Sequence, residues 1–336
     1  MAKEKIEVVF RTITPLWTGD AWQENCEIRP SSLMGSLRFW FAFYWKVIKN
    51  KEAEILDQVI GFPKENLSEL EKQKQKTFQE ILQKNLVSSN NFEEAIDNTL
   101  NELQLSVPSR IFGCTGWKSR VKIEIKNSKK VYIRLNDLDF NYPLNKINRN
   151  LNSKFWIKKV LFKDNEFIKL FKDVEAELHV PSYWWENYLK EFFEFFQDKI
   201  ILVGGKNSFG FGFVNLSIKQ DNTTEINTVE ISDKNVNNKL IFSKIENIPY
   251  TGNKEVLGFN FKYFLRKKEK RQDREYNFGI NKKASKIYVS NLLKNDNNSI
   301  FLLLLNNPFS QEKEINKNIF DKYKNWLINQ RGSGDG

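Results

Sequence analysis

Ile201-Leu-Val-Gly-Gly-Lys-Asn-Ser-Phe-Gly-Phe-Gly-Phe-Val214 carries an apolar strand into a glycine-rich loop and straight back into an apolar strand. Glycine reaches backbone conformations closed to other residues and lets a second chain come close. Amides exposed around Gly204, Gly205, Gly210 and Gly212 can bind phosphate oxygens, with Lys206 adding a charge and Ser208 a hydroxyl. The stretch is not a Walker A sequence, since the Gly-x-x-x-x-Gly-Lys-Ser/Thr spacing and the following helix are both missing. A tight hairpin that needs glycine only for its turn accounts for the same residues. Both readings stay open at this point.

Upstream, Pro181-Ser182 opens a helix to about Gln197 that carries Tyr183, Trp184, Trp185, Tyr188, Phe192, Phe193, Phe195 and Phe196. Rings on several faces predict cover from more than one side, by a sheet and by a neighbouring subunit. One exposed ring there could stack on a base. At the other end, Lys5 to Thr12 alternates as a strand does, and Thr14-Pro-Leu-Trp-Thr-Gly19 breaks it. Ser31 or Ser32 caps a helix to about Lys49. Ser31, Gly35, Arg38 and Ala42 share one narrow stripe of it, suited either to a polymer backbone or to tight packing. Glu52 to Leu103 reads as a charged helical insertion with a solvated face at Glu69 to Lys76. Strands follow at Arg110 to Lys126 and Lys129 to Leu135, with a hairpin at Asn127-Ser128.

The first unit therefore runs strand, helix, insertion, strand, strand, helix, strand and ends near Lys219. Polar, Asn-rich Asp221 to Asn238 is the best linker. Beyond it come a strand at Lys239 to Ile248, a helix at Lys254 to Arg266, strands at Ala284 to Leu292 and Ile300 to Leu305, and a helix from about Ser310 to Asn329. The terminal Gly332-Ser-Gly-Asp-Gly336 reads as flexible. The expectation is an α+β protein of two ferredoxin-like (RRM-like) domains, residues 1–220 and 221–336. The first would hold the insertion at about 52–105 and the glycine loop at 204–213.

A chain of 336 residues has room for two such domains. Lys and Arg outnumber Asp and Glu by 53 to 42, a net charge of +11 that favours polyanionic partners. Cys26 and Cys114 lack metal-ligand spacing and imply no disulfide framework. The start has no apolar signal region, and the longest apolar runs are too short for a bilayer. A cytoplasmic protein with no membrane contact, cofactor or metal is expected. His179, the sole histidine, would have to serve any histidine-assisted nucleophile, and nothing around it supplies one.

Several stretches together carry a more particular signal. They are Thr14 to Gly19, Arg29-Pro-Ser-Ser-Leu-Met-Gly-Ser-Leu-Arg-Phe-Trp40, Ile111-Phe-Gly-Cys-Thr-Gly116, Gly204 to Phe213, Leu257 to Arg266, Asn277-Phe-Gly279 and Ala284-Ser-Lys-Ile-Tyr-Val-Ser290. With these the chain resembles RAMP-superfamily proteins of CRISPR type III effector complexes, most closely the subunit-one family of the Cmr (type III-B) complex. Glu52 to Leu103 has no counterpart in that resemblance. The resemblance implies a non-catalytic subunit at the end of an RNA-guided filament, near the 3′ end of the guide RNA. There it would hold guide and target RNA for antiviral defence and touch other RAMP subunits.

Read as chemistry, Lys206, Ser208 and the loop amides would contact phosphates. Arg29, Ser32, Gly35 and Arg38 would meet the RNA backbone at the first helix, whose start favours anions. Lys118 and Arg120 flank Trp117, a mixture suited to a splayed nucleotide. Arg266, Lys267 and Lys268 open the densest basic run, continued by Lys270, Arg271 and Arg274; a solvated charged loop explains that run equally well. Two rivals remain. A RAMP endoribonuclease, processing guides or cutting targets, would have to rely on Asp20, although guide-processing members place the glycine motif near the C-terminus and often use histidine. A protein-only scaffold would use the aromatic helix and the insertion as docking faces.

Overall fold

Lys3–Thr12 (β1) alternates inward and outward side chains, with Val8 and Phe10 fully buried. The computed structural model describes residues 3–19, 24–51, 67–147, 153–197, 199–219, 235–236, 239–278, 285–306, 315 and 318–329. After β1 come Pro30–Val47 (α1), Leu67–Ser88 (α2), Phe92–Glu102 (α3) and the short Val107–Phe112 (α4). Lys122–Arg134 is β2. Residues 153–162 (α5) begin as α-helix and continue as a π-helix over Ile157–Phe162. Phe167–Pro181 is β3, residues 182–196 form α6 with a π turn at Trp185–Leu189, and Ile200–Leu202 (β4) and Phe213–Ile218 (β5) flank the glycine loop.

The sheet order is β2-β3-β1-β5-β4 with antiparallel neighbours. β1, α1, β2, β3, α6 and β5 thus form the ferredoxin-like α+β unit, with β4 added at one edge. Two expectations need correcting here. Arg110 to Lys126 and Lys129 to Leu135 are not a hairpin: α4 occupies the start, and β2 runs unbroken past Asn127-Ser128. Register shifts at Asn127 absorb the extra residue as a bulge. Nothing at that dipeptide forces a reversal, and the partner strand is β3, much farther along the chain. Nor do Ser31 and Ser32 cap α1. Arg29 is the extended residue before the helix, and Pro30 sits in its first turn, where a missing N–H costs nothing.

The second unit comprises Asn235–Val236 (β6), Leu240–Ile245 (β7), Gly258–Lys268 (α7), Arg271–Phe278 (α8), Ile287–Val289 (β8), Ile300–Leu305 (β9) and Ile319–Ile328 (α9). Its sheet order is β6-β7-β9-β8, a partial repeat of the first. The helix expected from Lys254 begins later, at Gly258, and the start expected near Ser310 lies outside the described residues. Most of the linker 221–238, Gly279, Ala284 and the glycine-rich tail lie outside the described residues. Along β7 and β9, Ile241, Ile245, Leu302 and Leu304 pack with Phe261, Phe264, Tyr323 and Leu327. Their alternates Leu240, Phe242, Phe301 and Leu303 join the first unit's core. Both faces of this sheet are therefore covered, which is why Ile300 to Leu305 reads as one continuous apolar run. Gly210 and Gly258 mark the seam. At Gly210 (φ +97) an added Cβ would lie 2.8 Å from the Gly258 nitrogen, so the backbones touch.

Within the insertion, α3 is capped by Asn91, whose Oδ1 accepts the Glu94 N–H at 2.9 Å. The buried Asp97 carboxylate accepts from Arg110 Nη1 at 2.7 Å, from the Tyr183 hydroxyl at 3.0 Å, and from the Tyr188 hydroxyl. Glu93 Oε2 accepts from Trp184 Nε1 at 2.7 Å. Trp184, Trp185, Phe192, Phe193 and Phe196 are buried in the chain's own core. The chain's own insertion, sheet and α1 cover these rings. Asp97→Ala leaves a buried guanidinium and two phenols without their acceptor, so a loss of about 3–5 kcal/mol is expected in urea denaturation, with Asp97→Asn losing less.

Candidate nucleic-acid interface

Three segments converge beside the glycine loop. Ser32 Oγ on α1 donates to the Thr18 carbonyl at 2.8 Å. One turn on, Ser36 Oγ donates to the Ser32 carbonyl and accepts the Gly204 N–H, both at 3.0 Å. Gly205 N–H donates to the Trp17 carbonyl at 2.7 Å. Gly204 has φ +75, and a Cβ there would lie 2.5 Å from the Trp17 oxygen, so only glycine fits. Trp40 Nε1 donates to the Leu202 carbonyl at 2.8 Å and fixes the end of β4. Between these segments lies a cleft of about 450 Å³ lined by Trp17, Gly35, Phe39, Gly205, Asn207 and Tyr288, among others.

The four glycine amides of the loop are not turned outward. Gly204 and Gly205 donate as described, Gly210 donates to the Asn207 carbonyl at 3.0 Å, and Gly212 donates to Pro15 at 3.0 Å. All four are used inside the protein, so these glycines shape the loop and offer no free amide to phosphate. Lys206, with φ 57, sends Nζ to the Val160 carbonyl at 3.3 Å and stands 5.1 Å over the Trp17 ring. Burial, with Lys163 nearby, pulls its pKa down. Ser208 is exposed. Gly35 is exposed and a Cβ there would meet nothing within 4 Å, which leaves α1 open to a close backbone. Arg29 stands at the start of α1, where the first turn holds no acidic residue and the helix dipole favours an anion.

Arg38 shares α1 but not the cleft. Its guanidinium donates to the Gly113 carbonyl at 2.5 Å and to Ser109 Oγ at 3.1 Å, holding the end of α4. Burial pulls its pKa down. The Arg120 guanidinium lies 4.6 Å over Trp117, whose ring also meets Phe78 at 6.1 Å and whose Nε1 donates to the Arg110 carbonyl at 2.9 Å. Trp117 is thus occupied by its own chain, and only Lys118 of that group is well exposed. Arg266, Lys267 and Lys268 fall in the last turn of α7, where cations complement the helix dipole. The structure brings Arg29, Ser32, Gly35, Gly204, Gly205 and Lys206 together; Arg38, Lys118, Arg120 and Arg266 to Lys268 are held elsewhere. Asp20 lies outside the described residues.

Some lining residues were not singled out by the sequence, although Trp17 and Tyr288 lie within quoted motifs. Lys262 on α7 sits 5.4 Å over the Tyr288 ring; burial, with Arg266 nearby, pulls its pKa down to about 8. His179 lies on the first sheet's other face, its Nε2 2.7 Å from Glu177 Oε1 and 3.4 Å from Glu124 Oε2. Those three could offer ligand atoms to a metal, but Lys126 Nζ already stands 3.0 Å from Glu124 Oε1 and 3.6 Å from Glu177 Oε1. A larger cleft, about 630 Å³, lies between β2 and the second unit with mixed lining that includes Tyr132, Asp137, Lys172 and Glu255. No helix among the described residues is long and apolar enough to cross a membrane.

The model of the RAMP superfamily matches residues 9–215, from within β1 to within β5. The chain belongs to that superfamily. Among curated proteins, none matches it.

Arg38→Ala is expected to cost about 1.5–3 kcal/mol of stability in denaturant melts, because two hydrogen bonds to a charged donor are lost. Lys262 gives a pH signature. Its pKa is lower folded than unfolded, so keeping it charged opposes folding at neutral pH. That penalty fades as pH rises from about 8 toward the ordinary lysine range. Lys262→Met should therefore melt higher than the native chain at pH 7, with the gap closing by about pH 10.

Proposed function

We propose that this member of the RAMP superfamily is a non-catalytic RNA-binding subunit of a CRISPR RNA-guided effector complex of type III-B. In this reading it corresponds to subunit one of the Cmr complex, sits at the filament end near the 3′ end of the guide RNA, and helps capture target RNA. The observation that carries the reading is the coincidence of family and site. The matched residues 9–215 supply every wall of the cleft except Tyr288 and Leu305. Net charge of +11, Arg29 at the α1 start, half-buried Lys206 and open Gly35 suit a ribose-phosphate strand. Contacts of that kind position the strand without reading bases.

One observation favours binding over scaffolding. The rings of α6, the face a scaffold would offer, are covered by the chain's own insertion.

Filter binding with guide-length RNA across a salt series tests the assignment. Affinity should fall steeply as salt rises, and Arg29→Ala or Lys206→Ala should weaken binding and flatten the slope by about one unit each. Charge reversal across Arg266 to Lys268 should weaken binding as well if that turn touches the strand. Absent or salt-independent binding points to the scaffold. In the assembled complex, Asp20→Ala should leave cleavage of labelled target unchanged; loss of cleavage overturns the non-catalytic assignment.

A further inference from the structure

Among the described residues the exposed aromatic rings are Phe92, Tyr132 (57%), Phe155 (51%), Trp156 (59%) and Phe167 (53%). Four of these five lie in one lobe, built from the ends of β2 and β3 and from α5 between them. A cluster of large exposed rings marks an interaction surface. Helical geometry explains the placement: α5 buries Ile157, Leu161 and Phe162 against Ile168 and Leu170. Its outer side is left to Lys154, Phe155, Trp156, Lys158 and Lys159. Lys159 Nζ stands 5.6 Å over the Phe155 ring and Lys154 Nζ 6.0 Å over Phe140. Lys163 follows, and the acidic neighbours are Asp164, 3.7 Å from Lys158, and Glu166. The outer side is thus positive with rings interleaved.

The composition selects the occupant. Lysine is depleted from the cores of protein–protein interfaces, whereas single-stranded nucleic acid asks for cations beside aromatic faces. A duplex hides its base faces within its own stack. Lys206 of the glycine loop donates to Val160 of α5, so the lobe adjoins the cleft.

We propose that α5 is a stacking platform for unpaired nucleotides, with Trp156 and Phe155 receiving bases while Lys154, Lys158 and Lys159 neutralise flanking phosphates. The choice of RNA over DNA rests on the reading of the cleft; the platform itself requires only a single strand.

The test is fluorescence anisotropy on the full chain with a labelled single-stranded RNA, the same sequence as DNA, and a blunt RNA duplex. Replacing both rings (Phe155→Ala with Trp156→Ala) should weaken single-strand binding about tenfold or more and leave the duplex and the salt slope unchanged. The pair Phe155→Leu with Trp156→Leu, which keeps apolar surface without a π face, should lose as much. Native affinity in the alanine pair, equal losses on strand and duplex, or retained affinity in the leucine pair each overturn the platform. So does intact RNA binding with lost association to other subunits, which identifies a protein-docking face. Tighter binding of DNA than RNA overturns the choice of strand. Arg29→Ala in the same assay separates the two sites: if it weakens binding while the ring variants do not, the platform falls and the cleft stands. A native chain that binds no RNA removes both.

Discussion

Backbone crowding at Gly204 governs the interface. The Trp17 carbonyl comes so close that no side chain can stand between the loop and the segment after β1. Ser32 and Ser36 then tie α1 to the same point through their hydroxyls, so three separate stretches of chain meet there. Such a floor is stiff, because each approach depends on the other two. It also uses up the amides of Gly204, Gly205, Gly210 and Gly212. In the proposed reading, attraction for a polyanion comes from the charges at the rim and the start of α1, while Gly35 leaves room for close approach.

Three of the chain's arginines turn out to be architectural. Arg110 satisfies Asp97, Arg120 covers Trp117, and Arg38 holds the end of α4. Of the three only Arg110 is buried, and a buried charge needs a paired partner such as the Asp97 carboxylate. The same economy applies to the aromatic helix: its polar ring atoms find Asp97 and Glu93 on the insertion, which makes the insertion part of the core's cover.

The sequence showed β1, α1, the strands around the glycine loop, the aromatic helix and Ile300 to Leu305, because each has a strong period or a dense apolar run. It did not show β3. There the alternation of Val174, Ala176, Leu178 and Val180 is preceded by Asp173 at positive φ, which breaks the pattern, while Asn127-Ser128 imitated a turn. The meeting of α1 with the loop was not legible, because it runs through Ser32 and Ser36, which stand off the stripe of Ser31, Gly35, Arg38 and Ala42. Roles were harder to read. Arg38 meets Ser109 and Gly113 some seventy positions away, and nothing local announces that partnership. Tyr288 and Leu305 reach the cleft only because the second unit's sheet lies against the first.

The glycine seam has a mechanical consequence. Two units pressed together at Gly210 and Gly258, with one sheet buried between them, share backbone contact along the seam. In the proposed reading a strand would settle from outside onto a surface already formed, and docking or departure would not require that seam to open.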